Sequence, residues 1–401
     1  VIGAGASGTA AALALREGGA EVTIIDGAWG ATRACSGAWH VATVRGGDAR
    51  WKASTADRIR RIADRRPAHP YARMDDPVDA IDRAHRAVFE AIGGYAPLDL
   101  SSPGVRVATE RGVVLRAAST DDDILVLDGV PGGLVAVAVL RGHPSIDGGF
   151  VARGLSRDPG ASDLSFVDVP VEYFGRRSDA LVWPHEAAAL GDAEDARARL
   201  GDVLERALPE RRDHAWLLPP LLGVESSGLA TALSNAVGRP VGELATSGAG
   251  AQGARLCRRL ADARREAGIG ERRDRAVRVE KGRVTLASDE VLSTDVVILA
   301  SGSALAGGIT PTARGDQLEE PLTATPVALG PWGDLGAPEE AFTSGVRFSD
   351  TFRLLGPEDE TRDDGLFVCG GLLEGASAAD GTGLGVAVTT GWLAGEAALA
   401  G

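Results

Sequence analysis

Apolar positions gather in short blocks near the two ends of the chain, and each block runs into glycine. Glu21-Val-Thr-Ile-Ile25 is too short for a helix and reads as a buried strand ending at Asp26. Residues 9–17, rich in alanine and leucine and closed by Gly18-Gly19, predict a helix. Residues 295–299 predict a second buried strand, which enters the small-residue turn Ala300-Ser301-Gly302-Ser303. Residues 365–369 predict a third, ending at Gly370-Gly371, and a small-residue helix is expected over 386–399. A hairpin is expected for 277–280 and 284–286 about Lys281-Gly282.

The middle of the chain has another texture. Residues 50–92 are charged and helix-like, interrupted by Pro67, Pro70 and Pro77. Short apolar runs at 112–115, 124–127 and 134–140 then suggest strands, followed by amphipathic helices over 193–208, 226–237 and 254–267. The expected fold class is α/β: a Rossmann-type domain assembled from residues 1–103 and 266–401, with an inserted α+β domain over 104–265 as a substrate or cap domain. Val1-Ile2 look like the tail of a strand, so a few residues are expected to precede them.

The first turn carries the strongest chemical signal. In Gly3-Ala-Gly5-Ala-Ser7-Gly8, Gly3 allows a tight turn, Gly5 lets backbone approach a pyrophosphate, and Gly8 lets helix and strand pack closely. The pyrophosphate would sit at the positive end of the following helix, and Asp26, about 20 residues on, suits ribose hydroxyls. Because the remaining strands return from the far end of the chain, the segment order favours a flavin dinucleotide over a nicotinamide one.

Composition narrows the rest. With 42 basic and 56 acidic residues the net charge is −14, which argues against nucleic acid as a partner. Cys35, Cys257 and Cys369 are too widely spaced for a disulfide framework or a cysteine-rich metal site, so no metal is expected and a reducing, cytoplasmic setting fits. No apolar run approaches the roughly 20 residues that a spanning helix needs, so no direct membrane insertion is expected.

These motifs together resemble the B-type subunit family of anaerobic glycerol-3-phosphate dehydrogenase. The resemblance is carried by the 3–8 turn, Ser36-Gly37, Pro67-Ala-His-Pro-Tyr71 and Leu299-Ala-Ser301-Gly302-Ser303 with Gly307-Gly308. It continues through Asp350 with Arg353, and the tail from Gly365 through Gly370-Gly371 to Gly383 and Gly385. It implies a flavoprotein that works with a catalytic A-type and an iron–sulfur C-type subunit. That complex oxidises sn-glycerol 3-phosphate to dihydroxyacetone phosphate, passes electrons to quinone, and is peripheral to the inner membrane through a partner. The alternatives are a non-catalytic flavin-binding or electron-relay subunit and a free-standing FAD oxidoreductase acting on another small molecule. The family is associated with FMN, whereas the 3–8 turn with Asp26 has the geometry for an ADP moiety, so FAD is expected with FMN as the alternative.

Alcohol oxidation at a flavin also needs a group to take the hydroxyl proton, most often histidine. His40, just beyond the second strand, and His143, after the 134–140 run, are the candidates; His69 reads as a turn residue, and His85, His185 and His214 as helix surface. Arg353, matching the family motif, is the candidate for a substrate phosphate. Trp29 and Trp39 flank the cofactor strand, and Cys369 reads as core.

Overall fold

The computed structural model describes residues 1–401 apart from 28–29, 141–145, 174–183, 209–212, 247, 249, 316, 328–342, 357, 359, 361, 363–364 and 378–380, and the side chains of 184, 185 and 305. Its central feature is a parallel sheet made from five separated pieces of chain. The elements that build it are α1 (Ala6–Glu17), β1 (Thr23–Ile25), α2 (Ala251–Glu266), β2 (Gly270–Arg272), β3 (Val297–Leu299), β4 (Leu366–Val368) and α3 (Gly383–Ala400). Across the sheet the order is β2, β1, Ile2, β3, β4. Thr23 pairs with Gly270, Ile2 with both Ile25 and Leu299, and Val297 with Leu366, all parallel. The amide of Ile2 donates to Ile298 (2.9 Å) and its carbonyl accepts from Ala300 (2.8 Å), so Val1-Ile2 forms the middle of the sheet.

Helices cover this sheet through small residues. A Cβ on Gly391 of α3 would lie 2.2 Å from the Ser7 carbonyl of α1, and one on Gly395 2.7 Å from that of Ala11. The two helices therefore cross at backbone contact, which explains why α3 is buried around most of its girth although 13 of its 18 residues are Gly, Ala, Val or Thr. Helix Pro77–Ile92, capped by Asp76 and begun by proline, packs alongside with Ile81, Ala84 and Val88 inward. His85 shares that inward face, one turn after Ile81. It is completely buried, in contrast to the surface position expected for it.

Residues beyond 104 hold two kinds of sheet. Val105–Ala108 and Val114–Ala117 pair antiparallel, and Val44–Arg45 joins them on the other side. The second sheet is wholly parallel, in the order Val241–Glu243, His214–Leu218, Leu134–Leu140, Ser165–Val171. Both of its faces are covered. Ala136, Ala138 and Trp216 face one core, and Val135, Val137 and Leu217 the other. That two-sided burial is why residues 134–140 read as an unbroken apolar run. It also buries His214, which opens a strand rather than lying on a helix surface. The expected strand at 124–127 is not formed; Ile124 and Val126 make single bridges to Glu243 and Val107.

A buried charge cluster joins the edge of the second parallel sheet to α2. Arg255 places Nη2 2.6 Å from Glu243 Oε2, Nε 3.4 Å from Asp121 Oδ2 and 4.0 Å from Asp123 Oδ2. Arg259 lies 3.8 Å from Asp121. Glu243 also accepts from the amides of Leu221 and Leu222, and Asp123 from that of Ala230. Three carboxylates face two guanidinium groups, and the imbalance falls on Asp123, whose carboxyl burial pushes up to about 7 against the opposing pull of Arg255. Removing one member of such a buried group leaves its partners charged and unpaired. Arg255→Met is expected to lower unfolding free energy by about 3–5 kcal/mol in urea denaturation; an unchanged midpoint would show the cluster to be dispensable.

Candidate functional site

The carboxyl ends of the parallel strands converge on the head of α1. Gly3 has φ +108°, and a Cβ there would lie 2.3 Å from the Ala300 carbonyl oxygen. A Cβ on Gly8 would lie 1.8 Å from the Gly3 carbonyl oxygen, so no larger residue fits where helix meets turn. Gly5 caps the helix without a side-chain bond of its own, and no acidic residue occupies the first turn. Thr32 Oγ1 instead accepts from the Ala6 amide at 3.0 Å. The end of α1 thus has the backbone polarity that suits an anion, with Thr32 on one of its amides.

Other expected residues gather beside it. Asp26, half-buried, follows β1, its own amide bonded to the Arg272 carbonyl at 2.8 Å. Ser301 follows β3 next to Gly3, and its hydroxyl is buried without a hydrogen-bond partner. Gly302 takes a positive φ of 85° and Gly370 one of 73°. A Cβ on Gly370 would meet Ser7 Oγ at 2.5 Å, and the Gly370 amide donates to Thr390 Oγ1 at 2.8 Å. Ser7 and Gly370 therefore lock α1, β4 and α3 together. Gly371, next along, borders Ser303.

A second group surrounds the start of α3. His40 Nε2 lies 2.9 Å from Ser36 Oγ, and Nδ1 lies 3.0 Å from Thr43 Oγ1. The His40 carbonyl accepts from the Gly385 amide at 2.8 Å, and the Gly381 carbonyl accepts from Thr43 at 2.9 Å. Gly383 begins the helix, and a Cβ on Gly385 would lie 2.1 Å from the Tyr71 hydroxyl. Ser36 also accepts from the Ala38 amide, and Gly37, at φ +80°, gives its carbonyl to the Asp121 amide at 2.8 Å. Burial pushes the His40 imidazole down to about 4, so it is neutral at physiological pH.

His69 proves to be support for this group. It is buried, its Nδ1 accepts from the Tyr71 amide at 3.1 Å, and its Nε2 lies 3.4 Å from the Thr382 hydroxyl at the head of α3. Trp39 is fully buried among His85, Phe89 and Tyr95, in edge-on ring contacts 4.7–5.8 Å apart. Cys369 is buried in the core, as expected.

One expected catalytic residue, Arg353, does not join His40. Arg353 lies over the Phe367 ring, 4.7 Å from its centroid. It lines a cavity of about 440 Å³ with Lys281, Asp295, Val296 and Gly365, at the amino ends of β3 and β4. That is the opposite edge of the sheet from the 3–8 turn, because Gly365 precedes β4 whereas Gly370 follows it. His143 and Trp29 lie outside the described residues. Sequence reasoning missed Thr32, Thr43 and Thr382. Of these only Thr32 carried a local signal, a capping residue in the segment after Asp26.

The donor set suits a dinucleotide: a helix end open to a pyrophosphate, a carboxylate at the ribose distance along the chain, and the unpartnered Ser301 hydroxyl beside the turn. Among the described residues no cluster suits a metal ion, and no helix is long and apolar enough to cross a membrane.

Acid should loosen this arrangement. His69 and His85 are also pushed down by burial, to about 3 and about 4. From roughly pH 6.5 to 4 the unfolded chain therefore binds protons that the folded chain refuses, and stability falls as pH falls. Asp123, raised to about 7, works in the opposite sense and offsets one of the three histidines. The urea midpoint is expected to be lower at pH 5 than at pH 7; an equal or higher midpoint at pH 5 would contradict the buried neutral histidines.

No curated protein matches the chain. Among solved structures it is similar to 3-ketosteroid Δ1-dehydrogenase from Sterolibacterium denitrificans in complex with 1,4-androstadiene-3,17-dione, with 11% identity over 100% of this chain and 98% of that one at a TM-score of 0.41. It is also similar to 3-ketosteroid-Δ4-(5α)-dehydrogenase from Rhodococcus jostii RHA1 in complex with 4-androstene-3,17-dione, with 12% identity over 99% and 95% at a TM-score of 0.33. The family model FAD_binding_2, described as FAD binding domain, matches residues 1–268, two thirds of the chain. With the glycine turn, the parallel sheet and the open helix end in place, the chain belongs to the FAD_binding_2 family of FAD-binding flavoproteins.

Proposed function

We propose that the protein is a self-contained FAD-dependent oxidoreductase acting on a small organic substrate beside His40. The observation that carries this reading is the 3–8 turn, where Gly3, Gly5 and Gly8 bring backbone to the head of α1 beside Thr32 and the unpartnered Ser301 hydroxyl. When bound there, FAD supplies two-electron redox chemistry. The residues that would hold it are the turn itself, Asp26, Ser301, Gly302 and the start of α3.

The contribution of His40 follows from its bonds. Ser36 and Thr43 hold both ring nitrogens, and burial keeps the ring neutral. A ring with both nitrogens engaged and its basicity suppressed to about 4 fixes the Ser36 and Thr43 hydroxyls rather than storing a proton.

Glycerol 3-phosphate ranks second. Its support is the resemblance carried by Pro67-Ala-His-Pro-Tyr71, and the A-type and iron–sulfur C-type partners are proposed only together with it. The phosphate ligand implied by that reading, Arg353, lies at the opposite edge of the sheet. Oxidation of another small molecule is therefore favoured.

The test is anaerobic reduction of the flavoprotein by a panel of small alcohols, ketones and sn-glycerol 3-phosphate, followed by loss of flavin absorbance. Bleaching by one panel member without partner subunits is expected. His40→Asn should slow that bleaching by less than about 100-fold, the lower end for loss of a general base, with no inflection near the ordinary histidine pKa. Bleaching by none of them, or only once A-type and C-type subunits are added, would overturn the self-contained reading.

A further inference from the structure

Outside the residues already assigned, one buried cation touches the cofactor turn. Arg264 lies in the last turn of α2 and is 4% exposed. Its Nη1 donates to the Ala4 carbonyl at 3.1 Å and to the Thr9 hydroxyl at 2.9 Å. Nη2 is 3.6 Å from Glu271, itself partly exposed, and Nε is buried without a partner. Thr9 is fully buried and donates weakly to the same carbonyl at 3.4 Å.

Burying a guanidinium is costly unless its surroundings return the hydration energy, and one half-shielded carboxylate with an orphaned Nε returns it poorly. The cost is explicable by where the charge sits. Ala4 stands between Gly3 and Gly5, and a trans peptide points its C=O and the following N–H in opposite directions within one plane. Holding the Ala4 carbonyl toward α2 therefore turns the Gly5 N–H away from α2. The same charge lies close behind the head of α1, where it adds to the helix-end potential.

We infer that Arg264 is a positioning residue for the FAD pyrophosphate, fixing the Ala4-Gly5 peptide from behind the turn. This rests on the FAD-binding family assignment. A role confined to packing α2 on α1 would affect every ligand of the site alike; a role in setting the peptide plane affects ligands that carry the pyrophosphate.

The experiment measures dissociation constants for FAD, ADP and adenosine on the full-length chain freed of flavin, for wild type, Arg264→Met and Arg264→Lys. Arg264→Met is expected to weaken FAD and ADP roughly 10- to 100-fold, the range for a hydrogen bond to a charged group, and to leave adenosine unchanged. Arg264→Lys, which keeps the charge and can reach one acceptor, should recover most of the loss. Should the Met variant not fold, the Lys variant carries the test, with a smaller loss for FAD and ADP and none for adenosine. The inference is overturned by FAD affinity within about twofold of wild type in Arg264→Met, by equal losses for ADP and adenosine, or by a Lys variant no better than Met. A wild-type chain that binds no FAD overturns the cofactor assignment itself, a separate and recognisable result.

Discussion

Everything in the cofactor domain depends on one close approach, that of helix α1 to the turn that launches it. The Gly3 carbonyl stands where a Gly8 side chain would begin, 1.8 Å from the position of a Cβ. That contact lets α1 leave the middle of the sheet at once, with its first amides directed to the space beyond the strand ends. From it follow the backbone crossing of α1 with α3 at Gly391, the locking of Gly370 against Ser7, and the setting of Ser301 beside the turn. A larger residue at position 8 would push helix and strand apart and remove the anion site with them.

A second constraint ties the other parallel sheet to this frame. The segment carrying Ser36, Gly37 and His40 is held from two directions: Gly37 by the Asp121 amide, and His40 through its carbonyl by the Gly385 amide. Asp121 belongs in turn to the Arg255 cluster, in which Glu243 comes from the edge strand of that sheet. Charge balance inside the joint and the placing of His40 are therefore parts of one arrangement. The same helix α2 that carries Arg255 toward the other sheet carries Arg264 toward the glycine turn.

What could be read from the sequence was whatever local spacing encodes. The 3–8 turn, the strand before Asp26, the hairpin near Lys281 and the strands running into Ser301 and Gly370 each have their signal within a few residues. The chain's return to complete one sheet was legible at β3 and β4, which run into glycine turns, but not at β2, which ends in Arg272-Arg273-Asp274. The second parallel sheet was visible only as apolar runs, since parallel order is set by pairings such as Leu134 with His214, 80 positions apart. Partners fixed by register over longer distances left no local trace: Arg264 meets Ala4 across 260 positions, and His69 meets Thr382 across 313. His85 was misplaced because flanking charged residues mask an inward helix face. Arg353 was placed with the site because a motif gives no information about which end of a strand it will border.

The central claim is that the 3–8 turn holds the pyrophosphate of FAD. It is tested most directly by identifying, by mass, the flavin released on denaturing the purified wild-type protein and its Gly5→Val variant. The account predicts FAD from the wild type and no flavin from the variant, where a branched side chain would fill the space in which backbone meets phosphate. FMN or no flavin from the wild type, or undiminished FAD from the variant, would contradict it.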